Sequence, residues 1–230
     1  MGQITLPGNP PIAVNLRRSA QARRLSLRLS QIDGRVTLTM PRRLPEREAL
    51  GFLREKEAWL RSHLEARGED VRIGPGARLP VEGAEREIRV GTGRTVRLGE
   101  GWIEVPGSEG RTAARLQGWL RALARDRLAE ASDRYAFALG RPYTRLTLRD
   151  TRSRWGSCTA DGALMYSWRL VLAPPEVLDY VAAHEVAHLA EMNHSRAFWS
   201  VVERLYGDWR APRRWLRDEG GALHRYRFGD

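Results

Sequence analysis

Between Arg24 and Ser30 apolar and polar residues alternate, and the same period of two returns at Val36-Thr37-Leu38-Thr39-Met40. Side chains two apart share one face of a strand, so the pattern predicts two half-buried strands, with Asp33-Gly34 as the turn of a hairpin. From Glu46 to Leu64 the period changes. Leu50, Phe52-Leu53, Trp59-Leu60 and Leu64 fall at helical spacing, which predicts one helix covering a face of the sheet. Gly and Pro then punctuate short strands near Arg86 to Val90, Thr95 to Leu98 and Trp102 to Val105. Arg111 to Leu139 sets Leu116, Leu120, Leu123, Leu128, Ala131 and Tyr135 on one side of a long helix that stops at Gly140. Leu146 to Arg149 and Leu164 to Leu170 read as strands flanking Arg154-Trp155-Gly156-Ser157-Cys158. The first fifteen residues are rich in Pro and Gly and are expected to be irregular. The expected organisation is α+β: an irregular 1–15, a β-rich region over 16–108 with its covering helix, and a helical domain with a small sheet over 109–230.

The last long pattern carries the chemistry. Pro174-Pro175-Glu176 is a helix start, with proline in the first turn and an acid at the positive end of the dipole. The helix is expected to run to Met192-Asn193, with Leu178, Ala182, Val186 and Leu189 facing a core. His184 and His188 then stand one turn apart on the same face, where both reach one ion. Glu185 sits beside them, placed to take a proton from a water at that ion without completing its coordination. Five histidines and 28 acids in 230 residues would give this pattern by chance about 0.01 times per chain. For a third ligand, His194 beyond the helix end competes with Glu203, Asp208, Asp218 and Glu219. His194 is favoured because imidazole suits Zn2+ and Glu191-Met192-Asn193 is short enough to turn. Three ligands with a fourth position for water describe a catalytic zinc site rather than a structural one.

Composition adds limits. At 42% hydrophobic, a chain of this length buries a substantial core. The single cysteine, Cys158, excludes an intrachain disulfide, and with no leader-like N-terminus the expected location is the cytoplasm. No run approaches the roughly 18 apolar residues that cross a bilayer, so no membrane partner is expected. A formal charge of +11 keeps nucleic acid open as a partner. Lys56 is the sole lysine, however, and the arginines interleave with glutamates along the whole chain. The best local basic cluster is Arg17-Arg18 with Arg23-Arg24. Nothing in the pattern addresses oligomeric state.

Taken together, Arg154-Trp155-Gly156-Ser157-Cys158, Trp168-Arg169-Leu170, Tyr180-Val181 leading into His184-Glu185-x-x-His188-Leu189, Asn193-His194-Ser195 and Phe198-Trp199 resemble the YgjP-type metallopeptidase domain, related to the WLM and SprT-like zincins. The resemblance implies a zincin-like fold over the C-terminal half and a zinc-dependent hydrolase acting on peptide or protein. It puts the metal ligands on His184, His188 and His194 and the base on Glu185. Arg152, Trp155 and Tyr166 are expected along the cleft, with Tyr166 and Arg152 as the groups to stabilise an oxyanion. Two other functions fit the same metal and charge: hydrolysis of a nucleotide phosphoanhydride, and a DNA-associated protease or recruitment module.

Overall fold

Alternation begins earlier than the proline-rich start implies. The computed structural model describes residues 2–30, 34–67 and 69–229. In it Gln3-Ile4-Thr5-Leu6 and Ile12-Ala13-Val14-Asn15-Leu16 already follow the period of two. They form β1 (Gly2–Leu6) and β2 (Ile12–Ser19), an antiparallel pair whose prolines, with Gly8, are confined to the connection at 7–11. The expectation of an irregular 1–15 is therefore corrected. β3 (Ser26–Leu29) and β4 (Val36–Pro41) pair antiparallel as the hairpin pattern requires. Asp33 of the expected turn lies outside the described residues. The sheet order is β1-β2-β4-β3, with β2 and β4 parallel.

The single helix expected over 46–64 is two, α1 (Glu46–Glu55) and α2 (Glu57–Arg67), joined where Lys56 leaves helical geometry at φ −96°, ψ 4°. Ala49, Leu53 and Leu60 close one core with Leu6, Val14, Leu16, Val36, Leu38 and Met40. Residues 1–69 form this compact unit and residues 70–230 form a second.

The second unit opens with β5 (Val71–Arg72), followed by β6 (Arg78–Val81), β7 (Ala84–Gly91), β8 (Arg97–Gly99) and β9 (Trp102–Pro106). The last four make a sheet of order β6-β7-β9-β8. Its inward residues Leu79, Val81, Ile88, Ile103 and Val105 share a core with Leu116, Leu120 and Leu128 of α3 (Glu109–Leu139). That shared core moves the division of the chain from the expected 108/109 to 69/70, because this sheet has no separate core of its own. Beyond Gly140, left-handed at φ 71°, come β10 (Arg145–Arg149), β11 (Gly156–Cys158) and β12 (Ala163–Ser167), in order β10-β12-β11. β10 runs parallel to β12 and β11 antiparallel to it. The strand expected over 164–170 ends at Ser167, and Trp168–Leu172 is a 3-10 helix. Every residue of Trp168–Leu172 is buried, and such a run has no polar face whose period could separate strand from helix.

Three helices complete the unit: α4 (Pro175–Ala187), α5 (Arg196–Tyr206) and α6 (Arg210–Asp218). The start of α4 is pinned by the turn after β6. Glu82 N–H donates to Val171 O at 2.8 Å and Gly83 N–H to Leu172 O at 3.3 Å. Gly83 has φ +76°, and a Cβ there would lie 2.9 Å from the Pro174 backbone, so only glycine fits. No described helix is long and apolar enough to cross a membrane.

The C-terminal segment is tied down by one buried cation. Arg169 donates to both carboxylate oxygens of Asp150 (2.7 and 3.2 Å) and to the carbonyls of Leu223 (3.0 Å) and Tyr226 (3.1 Å). This fixes a 3-10 turn at Gly220–Arg225 and β13 (Tyr226–Arg227), which pairs with β5. Within the turn, His224 is buried and stacks on Trp155 at 5.2 Å. Burial would raise the Asp150 carboxyl, but the hydrogen bond and charge of Arg169 outweigh it and hold the group below the usual carboxylate range. His224 is pushed down to about 4, first by burial and then by Arg169. Arg169→Met is expected to cost about 2–4 kcal/mol in urea unfolding, short of a fully buried pair because Asp150 keeps some solvent contact. Acid should act in part through His224. The unfolded chain takes its proton near 6.5 and the folded one only near 4, so stability is full above that window and falls as pH drops through it. An unfolding midpoint that stays constant across the window would count against this.

Candidate metal centre

α4 is buried along most of its length, with Ala182, Ala183, Val186 and Ala187 fully inaccessible. Its remaining side carries His184 and, at the helix end, His188. The helix stops at Ala187, short of the expected Met192-Asn193. The chain continues in tight turns, with Leu189 N–H bonded to Val186 O and Ala190 N–H to Ala187 O, at 2.9 and 3.0 Å. The tightening has a use. The Glu191 carbonyl comes within 2.9 Å of His188 Nδ1, which donates to it and leaves Nε2 as the free ligand atom. Asn193 then turns the chain, its Oδ1 accepting from Ser195 N–H at 3.2 Å, and the Ser195 hydroxyl accepts from Phe198 N–H at 3.4 Å to cap α5.

That reversal brings His194 Nε2 to 3.0 Å from His184 Nε2. One ligand atom from each of His184, His188 and His194 lies within 4.8 Å of the others, the only such three-residue set among the described residues. Tetrahedral nitrogens at about 2.0–2.1 Å from an ion stand roughly 3.3 Å apart, so small ring rotations complete the set. Three imidazoles with one second nitrogen already bonded to a carbonyl suit a divalent metal. Glu203, Asp208, Asp218 and Glu219 lie outside this cluster.

Aromatic rings hold the imidazoles. His188 stacks on Phe198 at 4.4 Å, and His194 on Trp199 at 5.9 Å. Trp199 in turn packs on Trp209 at 4.2 Å, and the Arg213 guanidinium lies 4.8 Å over it. Burial, then His188, His194 and Arg213, pushes His184 down to about 3, and burial lowers His188. Both rings are thus kept neutral, the form that coordinates metal.

Glu185 is buried beside them at 6% exposure, and burial pushes its carboxyl up to about 8 against the pull of Arg154. Its neighbour is the strand β11. A Cβ on Gly156 would lie 2.5 Å from Glu185 Oε1, so the missing side chain is what lets the strand approach the carboxylate. Glycine inside a strand marks such close approaches, and this signal was readable in the sequence. Phe198, Trp199, Arg154 and Arg213 carried no comparable spacing rule.

The other expected cleft residues are dispersed. Tyr166 is fully buried with its hydroxyl 3.0 Å from Ser132 Oγ, which leaves it no surface for substrate and corrects the expectation that it stabilises an oxyanion. Trp155 lies half-buried against His224 and Gly220, where it pins the segment leading into β11. Arg152 is exposed, and its charge bears on His224. Cys158 is half-buried, and burial with the Glu185 charge pushes its thiol up to about 11, away from a reactive thiolate.

Comparison with known proteins returns a family and a structure. The YgjP-like, metallopeptidase domain family matches residues 23–219. The crystal structure of the metallopeptidase zymogen of Pyrococcus abyssi abylysin is similar at 20% identity and TM-score 0.36, over 40% of this chain and 95% of that one. No curated protein matches.

Gly156→Ala forces a shift in strand or carboxylate. It is expected to destabilise the protein by about 1–3 kcal/mol in denaturant unfolding while leaving metal content at the wild-type level, since no ligand moves with the strand.

Proposed function

We propose that this chain, which belongs to the YgjP-like metallopeptidase family, hydrolyses peptide bonds using a zinc ion held by His184, His188 and His194, with Glu185 as general base. The observation that carries the reading is the gathering of three imidazole nitrogens within 4.8 Å beside a buried carboxylate on the adjoining residue. Zinc is preferred because three imidazoles match it and leave a coordination position open. When bound, it would supply a Lewis acid that polarises the scissile carbonyl and acidifies a water toward neutrality.

The remaining steps belong to the chain. Glu185, with a proton affinity raised by burial toward neutral pH, accepts the proton of the attacking water and delivers it to the leaving amine. The His188–Glu191 bond keeps one ligand in a fixed tautomer and orientation. β11 is paired only with β12 among the described residues, so its other edge is open to an extended substrate backbone lying along the cleft at Gly156. A substrate bound this way is a peptide rather than a nucleotide, because strand addition needs backbone N–H and C=O groups on both partners.

Two variants separate binding from chemistry. Glu185→Gln should retain the metal of the wild type and lose about 10²- to 10⁴-fold in turnover of an unfolded protein substrate. His194→Ala should lose metal affinity, read by elemental analysis after dialysis against a chelator. Unchanged turnover in Glu185→Gln would remove it as the base, and cleavage of nucleotides but of no peptide would replace the substrate class.

A further inference from the structure

β3 is the last strand of its sheet, paired with β4 on one side and with no strand among the described residues on the other. An open edge presents a row of backbone donors and acceptors to any extended chain. Alternation gives this edge two different sides. Leu27 and Leu29 stand opposite the buried Leu38 and Val36, with Leu25 in the same phase. Ser26 and Arg28 stand opposite Thr39 and Thr37, and Arg24 lies exposed just before the strand.

The two sides differ in what they would accept. Next to the apolar side, between the edge and α1–α2, lies a groove of about 660 Å³ whose apolar lining includes Leu25, Leu27, Phe52 and Trp59 and whose charged lining is Arg24, Lys56 and one acid, Glu55. Trp59 is 42% exposed there, large for an indole, and Phe52 is half-buried. The edge as a whole is cationic, with Arg24, Arg28 and Lys56 against the one acid Glu55. No strand residue of β1 to β4 is an acid. Among the described residues Arg18 pairs with Glu46 and Arg61 with Glu57, whereas Arg24 and Arg28 have no acidic partner.

We infer that this edge is a docking site for an extended peptide segment in which apolar and acidic residues alternate, added to β3 as a further strand. Its apolar side chains would continue the core over Leu25, Leu27, Phe52 and Trp59. Its acids, at the alternate positions, would lie across from Arg28 at about 5 Å between Cβ atoms, where opposite charges attract, with Arg24 adding positive charge just before the strand. A period of two on both sides of one backbone is the pattern of a polypeptide, and the open backbone row has no counterpart in a nucleic acid strand. The site lies wholly within residues 1–69 and does not depend on the metal centre, so the failure of one leaves the other standing.

The test uses the full chain and three labelled probes: a synthetic peptide alternating valine and glutamate, its valine–lysine counterpart, and oligothymidine, followed by fluorescence anisotropy. The glutamate peptide should bind at least about tenfold more tightly than the lysine peptide, and Arg24→Glu with Arg28→Glu should reverse that order. Trp59→Ala should weaken the glutamate peptide about tenfold, and bound peptide should slow amide exchange across Ser26–Leu29. Both variants alter exposed side chains. A wild-type thermal transition and wild-type metal content would establish that any lost binding is not lost folding. Equal affinity for the two peptides, no binding of either, or tight and steeply salt-dependent binding of oligothymidine lost in the arginine variant would overturn the proposal, the last in favour of a polyanion site.

Discussion

Nine of the thirteen residues of α4 are buried, and the histidines are held where they are because that helix cannot tilt or slide. Alanines at 182, 183 and 187 let α3 and the Trp168–Leu172 turn approach closely, and Gly156 does the same for β11 on the side of Glu185. A helix packed this closely resists displacement, since moving it opens voids or forces overlaps costing about 1–3 kcal/mol apiece. The electrostatics follow from the same burial. It presses His184 and His188 toward the neutral form and raises Glu185, so imidazoles with free lone pairs and a carboxylate of raised proton affinity come from one cause.

The outer layer has a different logic. Trp155 on His224, Arg169 on Asp150 and the carbonyls of Leu223 and Tyr226 join the C-terminal segment to the approach of β11. None of these groups stacks on or bonds to His184, His188 or His194. They fix the strand that lies against Glu185, and the glycine in that strand leaves almost no tolerance for a shift. Residues nearly seventy positions apart thereby bear on a carboxylate that neither contacts.

Much of this was legible in the residues, and the misses share a reason. Strong periods were read well: the β3–β4 alternation, α3 from its leucines, the start of α4 from Pro175 and Glu176, and the short turn that returns His194 to His184. Where every residue is buried, as in Trp168–Leu172, period carries no information, and strand was expected where a 3-10 helix stands. The end of α4 was misplaced because Leu189-Ala190 continues a helical pattern while the backbone tightens to serve His188. Tyr166 was placed on the cleft by its neighbourhood in sequence, yet its alternation phase in β12 turns it inward to Ser132. The division at 69/70 depended on which core the sheet of β6 to β9 joins, a long-range fact invisible to local pattern.

His184, His188 and His194 are neighbours along the chain as well as in space, whereas Gly156, which lies against Glu185, and Arg213, whose charge bears on His184, come from farther along it. Closing a loop of ten residues costs little chain entropy, and each doubling of length adds only about 0.6 kcal/mol. The three nitrogens can therefore meet in a fragment that holds little other structure. The aromatic wall of Phe198, Trp199 and Trp209 is nearly as local, whereas the strand that lies against Glu185 at Gly156 requires contacts of greater sequence separation and forms only with the whole unit. The gathering of the three nitrogens is a local property of this chain, while the setting of the carboxylate beside them is a property of the completed fold.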